Sequence, residues 1–64
     1  MKKNIIKYII TAQPERPESL YYDEKGDKVE KQFATEFYSI EMAKDFAKEH
    51  NIDLNGTMNS IVVK

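Results

Sequence analysis

This chain of 64 residues contains no cysteine, no tryptophan, two glycines and two prolines. Without cysteine it can form neither a disulfide nor a thiolate zinc site, the devices that often stabilise domains of this size. With two glycines it can hold neither a phosphate-binding P-loop nor a dinucleotide fingerprint. A chain this short buries only about 60% of the surface that its unfolded form exposes. We therefore expect one domain, residues 1–64, with a thin core and a need for further burial by association.

Neither sign of charge dominates, and no long apolar run is present. The 10 basic and 11 acidic residues give a net charge of −1, which argues against direct nucleic-acid binding through phosphate neutralisation. The apolar run after Lys3 is interrupted by Lys7 and is not followed by a signal-peptide cleavage site. No segment reaches the roughly 20 apolar residues of a membrane span. The sequence predicts a soluble, cytoplasmic protein that makes no membrane contact.

Residues 38–51 form the only segment whose apolar residues recur at helical spacing. The predicted apolar stripe consists of Ile40, Ala43, Phe46, Ala47 and His50. Ser39 suits the N-cap position, because its hydroxyl can accept from a backbone N–H of the first turn. Asn51 can end the helix by adopting a left-handed conformation. Because a lone helix of this length is marginal in water, its stripe must pack on a sheet.

The remaining segments show the alternation and turn signals of strands. Strands are expected at residues 4–12, 19–24, 28–37 and 57–63. The first is rich in isoleucine on both faces, which favours a central position in the sheet. Residues 13–18 hold both prolines and predict a surface loop. Lys25-Gly26-Asp27 predicts the turn of a hairpin, and Asn55-Gly56 a turn before the last strand.

These elements predict an α+β fold in the order β-β-β-α-β, with one helix packed on one face of a four-stranded sheet. A right-handed crossover through the helix would make the last strand parallel to the third and to the first, and place it beside the first. The face opposite the helix would be bare. An exposed face of this kind often marks a contact site.

His50 is the only histidine of the chain. As a general base or metal ligand it lacks companions, because no cysteine or second histidine accompanies it. Its place in the last helical turn favours a structural role beside the free carbonyls. The serines lie in no Gly-x-Ser-x-Gly elbow, and the hairpin acids lack the spacing of a calcium loop. The sequence predicts a protein that is not an enzyme and uses no cofactor or metal.

A group of aromatic and acidic side chains around the predicted hairpin is the candidate partner-binding site. This hairpin cluster consists of Tyr21, Tyr22, Asp23, Glu24, Asp27 and Glu30. Adjacent strand residues point to opposite faces, so at least one of the two tyrosine rings lies outside a core on a single face. With Glu15 and Glu18, the acids would suit a basic groove on a protein partner, in positions that phosphates otherwise occupy. In the alternative interpretation, the tyrosines cover a sheet edge and the acids only maintain solubility.

Residues 38–47, with Gly56-Thr57, Ile61 and Tyr8-Ile9-Ile10, resemble small phage-encoded anti-CRISPR proteins of the type I-F inhibitor group. The resemblance implies a non-enzymatic inhibitor that binds a CRISPR effector complex and blocks its hybridisation to target DNA. It assigns no individual functional residue. This chain is more acidic than the member of the inhibitor group that it resembles, and it has a long Pro-Glu hairpin region. Its expected target is therefore the effector's own basic groove.

A second hypothesis is a structural role. In it, the chain is a homodimer or a subunit of a larger assembly, joined through the bare sheet face or the edge of the last strand. Both hypotheses supply the additional burial that a thin core needs.

Overall fold

Four strands and one α-helix make up the described part of the chain. The computed structural model describes residues 5–12, 20–56 and 58–64. Its elements are β1 (Tyr8–Ala12), β2 (Leu20–Tyr22), β3 (Lys28–Val29), a short 3-10 helix (Lys31–Phe33), α1 (Ile40–Glu49) and β4 (Asn59–Val63). The predicted α+β class, four strands and β-β-β-α-β order are confirmed. The predicted loop at residues 13–18 lies outside the described residues, as do Asn4, Ser19 and Thr57 from the predicted strands.

β1 is the central strand, as its isoleucines predicted. The sheet order is β3-β2-β1-β4. Neighbouring residues Ile9 and Ile10 point to opposite faces, and both have no exposed surface. The helix-side core consists of Ile10, Ala12, Tyr22, Phe37, Ala43 and Ala47. On the opposite face Ile9 and Thr11 are also buried, so the prediction that this face is bare is wrong at its centre.

β4 lies beside β1, as predicted, but runs antiparallel to it, which corrects the predicted parallel direction. The predicted third strand, residues 28–37, ends at Val29, and the chain reverses through the 3-10 helix. Phe37 then pairs antiparallel with Tyr8, each donating its N–H to the other's carbonyl at 2.8 Å. Phe37 and β4 therefore run parallel to each other on either side of β1. The crossover through the helix joins Phe37 to β4, and not β3 to β4.

Both ends of α1 carry the predicted caps. The Ser39 hydroxyl accepts a hydrogen bond of 3.2 Å from the Met42 N–H. Asn51 has a φ of 57°, in the left-handed region that ends helices. The N–H of Ile52 donates to the Ala47 carbonyl at 2.8 Å, which forms a Schellman motif. The cap residues at both ends are therefore those that the local sequence predicted. The helix between them spans Ile40–Glu49, which is shorter than the predicted residues 38–51.

Candidate functional site

The hairpin turn is organised by the carboxylate of Asp23. Its Oδ1 accepts from the backbone N–H of Lys25 at 2.9 Å and from that of Asp27 at 3.0 Å. The Asp23 N–H donates to the Asp27 carbonyl, and the Gly26 N–H donates to the Asp23 carbonyl, both at 3.0 Å. Gly26 has a φ of +83°, which its missing side chain permits. Asp23 thus holds the turn in one conformation.

The two adjacent tyrosines point to opposite faces of the sheet, as predicted. Tyr22 lies in the helix-side core and is 8% exposed. Its hydroxyl donates to Asn59 Oδ1 at 2.7 Å, and burial raises the pKa of this phenol above its ordinary value. Tyr21 pairs with Thr11 and lies half-buried on the other face. Of the two predicted contact rings, only Tyr21 is accessible to a partner, because Tyr22 is packed in the core.

The acids of the hairpin cluster alternate with lysines. Glu24, Asp27 and Glu30 are exposed as predicted. Lys25, Lys28 and Lys31 are exposed between and beside them. The hairpin cluster therefore presents a pattern of both charges and not an acidic surface, a point that the sequence reasoning missed. The signal was available in the alternation of charge along residues 23–31.

His50 packs between the end of α1 and the hairpin turn. Its ring centroid lies 4.3 Å from that of Phe46. A Cβ added to Gly26 would lie 2.8 Å from His50 Nδ1, so the turn backbone lies directly against the imidazole. Among the described residues, no group of three histidine, cysteine or acidic side chains could hold a metal ion. The ring thus fixes the hairpin turn against the helix.

A second feature is a groove between α1 and β4, which we call the edge groove. Its volume is about 530 Å³, and its lining includes Ile40, Lys44, Leu54, Ile61 and Val63. Lys44 and Leu54 also line an adjoining depression that includes Lys48 and Asp53. The edge groove is mainly apolar, with Lys44 on its helical side. It opens next to the last strand of the sheet.

No family model, curated protein or solved structure matches this chain. Within residues 5–12, 20–56 and 58–64, no helix has the length and hydrophobicity needed to cross a membrane. The hairpin cluster and the edge groove are therefore the two candidate contact surfaces among the described residues.

Sequence reasoning missed the edge groove. Lys44 and Lys48 are four residues apart and thus lie on one side of α1. This spacing was visible, but it placed them only on the polar face of the helix. That this side adjoins β4 depends on where the last strand pairs, which is a tertiary property.

Proposed function

We propose that this chain is a non-enzymatic protein-binding module that inhibits its partner by steric occlusion. Its contact surface is the exposed part of the hairpin cluster. The observation that carries the proposal is the rigid turn, in which the Asp23 carboxylate accepts two backbone N–H groups. A contact loop that is already held in its bound conformation loses little entropy on binding. In this proposal Asp23 contributes by fixing the shape of the turn. Tyr22 contributes by packing in the core and so anchoring the hairpin.

The contacts themselves come from Tyr21, Glu24, Asp27 and Glu30. The half-buried Tyr21 ring offers apolar area with few rotatable bonds. The three exposed carboxylates can pair with basic side chains of a partner. Because lysines alternate with them, the surface carries little net charge. It would select a partner through the pattern of charges, which favours one specific complex over non-specific attraction.

The resemblance to anti-CRISPR proteins suggests the class of partner. It favours a CRISPR-type effector complex in the cytoplasm of a phage host, whose basic nucleic-acid groove the hairpin would cover. The carboxylates of the hairpin cluster can occupy positions that phosphates would otherwise take. Binding of this kind needs no catalytic group, cofactor or metal on the inhibitor.

The experiment measures how a type I-F effector complex binds a fluorescent target DNA as this protein is added. The wild-type chain should prevent DNA binding at near-equimolar concentration. Tyr21→Ala with Glu24→Lys and Asp27→Lys should weaken inhibition by about tenfold or more, the effect of losing a hot-spot residue. The matched control is Glu41→Lys with Asp45→Lys, which makes the same change in charge on the exposed side of α1.

Equal inhibition by wild type and the hairpin variant would overturn the hairpin as the contact surface. Equal losses of inhibition in the hairpin variant and the helix control would show that inhibition depends only on the net charge of the chain. If the wild-type chain left DNA binding unchanged, the assignment to a CRISPR effector would be wrong.

A further inference from the structure

The outer edge of β4 presents backbone groups in the arrangement that accepts another strand. The Lys64 N–H donates to the Lys7 carbonyl of the neighbouring chain segment at 2.9 Å. Because successive strand residues direct their N–H and C=O groups to alternate edges, those of Ile61 and Val63 point away from β1. Within the described residues, no strand pairs with this outer edge. It is therefore a template for adding a strand.

The edge groove lies directly beside this outer edge. Ile61 pairs with Ile10 and Val63 with Tyr8, so both point to the helix side of the sheet. The helix packs over β1, which leaves Val63 63% exposed and Ile40 46% exposed. A strand added next to β4 would direct every second side chain into the edge groove. Apolar side chains at those positions would bury the exposed part of Ile40 and Val63.

The charge of the groove selects among possible occupants. Lys44 lines its helical side and Lys48 lines the adjoining depression, and no described carboxylate lies within 4.0 Å of either ammonium group. Asp53 also lines the adjoining depression, where its Oδ1 accepts from the Asn55 N–H at 2.9 Å, but it does not line the edge groove. Glu41 and Asp45 lie three residues before Lys44 and Lys48 and so flank them on the helix surface, but neither acid lines the groove or the adjoining depression. The groove therefore favours a carboxylate.

We infer that the edge groove and the outer edge of β4 together bind an extended, acidic segment of a partner protein as a fifth strand. The main chain of this segment pairs with Ile61 and Val63, its apolar side chains enter the groove, and a glutamate or aspartate meets Lys44 and Lys48. This site is separate from the hairpin cluster. It gives the chain a second binding site, which uses main-chain pairing and an apolar groove where the hairpin cluster uses a tyrosine ring and carboxylates.

A second copy of the chain fits this site less well. Antiparallel pairing of two β4 strands about Ile61 would place the two edge grooves side by side. Lys44 lines the groove of each copy, so this pairing would bring two like charges to one surface, which disfavours a complex. An acidic partner segment meets the same edge without this repulsion.

The probe for the test is a random-peptide display library selected on the immobilised full-length chain. Selected peptides should combine alternating apolar residues with at least one acidic residue. A fluorescent copy of one selected peptide is then titrated with wild-type and variant chains, and its polarisation is measured. Lys44→Glu with Lys48→Glu, and separately Lys44→Gln with Lys48→Gln, should weaken binding about tenfold or more. The matched control, Lys28→Glu with Lys31→Glu, should bind as wild type.

The edge itself is tested by chemical synthesis of the chain with an ester in place of the amide between Ser60 and Ile61. This change removes the outward-facing N–H of Ile61 and keeps its side chain. It should weaken peptide binding and lower the unfolding midpoint only slightly, because the Ser60 carbonyl that faces β1 becomes a weaker acceptor. An ester between Ile61 and Val62 removes an N–H that points to β1, and should lower the midpoint.

Three results would overturn the inference. The first is a selection without acidic enrichment, and the second is unchanged binding by the Ile61 ester. The third is a wild-type sedimentation mass of two copies that becomes one copy in the Ile61 ester, which would assign the edge to self-association. The Tyr21, Glu24 and Asp27 variant should retain peptide binding, so that failure of this site and failure of the hairpin cluster give different results.

Discussion

The hydroxyl of Tyr22 on β2 donates a hydrogen bond of 2.7 Å to Asn59 Oδ1 on β4, across the intervening strand β1. Asn59 Nδ2 in turn donates to the Asp53 carbonyl at 2.9 Å. The side chain of Asn59 thus joins the hairpin, the last strand and the loop after α1. In a chain without disulfides, this polar link crosses the sheet on the face that holds the core.

We expect Tyr22→Phe to lower the free energy of unfolding by roughly 0.5–1.5 kcal/mol, the net value of one hydrogen bond. Loss of the hydroxyl leaves Asn59 Oδ1 without its donor, while the ring still fills the core. Urea unfolding followed by circular dichroism measures the change. Tyr21→Phe is the control, since it removes the same atom from the half-buried ring on the other face of the sheet, and it should cost less than Tyr22→Phe. An equal loss in both variants would show that the bond contributes nothing specific.

Gly26→Ala should destabilise the protein for two separable reasons. A residue with a side chain at a φ of +83° costs about 1–2 kcal/mol, and its Cβ would lie 2.8 Å from His50 Nδ1. Adding His50→Ala removes the steric conflict but not the backbone strain. Urea unfolding of both single variants and the double variant should show that Gly26→Ala costs less when residue 50 is alanine. Strictly additive costs would mean that the turn and the imidazole do not interact.

The two ends of α1 should respond differently to substitution. Ser39→Ala removes the acceptor of the Met42 N–H and should cost about 1 kcal/mol. Asn51→Gly should be neutral or stabilising, because glycine adopts the φ of 57° more readily, whereas Asn51→Ala should be destabilising. Thermal unfolding of the three variants gives the ranking. Destabilisation by Asn51→Gly would show that the asparagine side chain matters beyond its backbone conformation.

Glu36 should make stability depend on pH in the acid range. The hydrogen bond from Lys64, and then that from Lys7, lowers the pKa of the Glu36 carboxyl. A carboxyl with a lowered pKa stabilises the fold above its unfolded-state value of about 4.3, and this stabilisation is lost as pH falls through its folded-state pKa. Glu36→Gln should therefore be less stable than wild type at neutral pH. The difference should disappear in strongly acidic solution.

Unfolding midpoints of wild type and Glu36→Gln across pH 2 to 8 test this dependence. Glu49→Gln provides the control, because no described lysine lies within 4.0 Å of Glu49. The Glu36 effect should also decrease at high salt, since the pairs are at the surface. A pH-independent difference between wild type and Glu36→Gln would contradict the ion-pair explanation.

The sequence predicted the features that depend on a few neighbouring residues. Ser39 and Asn51 mark the helix ends, because a cap requires only local backbone geometry and one side chain. Gly26 marks the hairpin turn for the same reason. The isoleucines of β1 also predicted its central position, since only an interior strand can bury both faces.

The candidate site was predicted only in part. The alternation of side chains along a strand separated Tyr21 from Tyr22 but gave no indication of which ring would be buried. That assignment follows from the helix lying over the face of Tyr22, where its hydroxyl reaches Asn59. The edge groove follows from the pairing of β4 with β1, between residues about fifty positions apart in sequence.

By itself, the sequence determined the turn and the helix caps, because these depend on residues close together in the chain. It also indicated the central strand, because a segment that is apolar on both faces needs cover on both sides. The tertiary structure alone decided the direction of β4. Residues 30–37 contain no local signal strong enough to distinguish a continued strand from a reversal, and pairing of Phe37 with Tyr8 stabilises the reversal. That pairing sets the end of β1 at which the helix begins. The pairing of β4 with β1 then places Lys44 of the helix beside the outer strand.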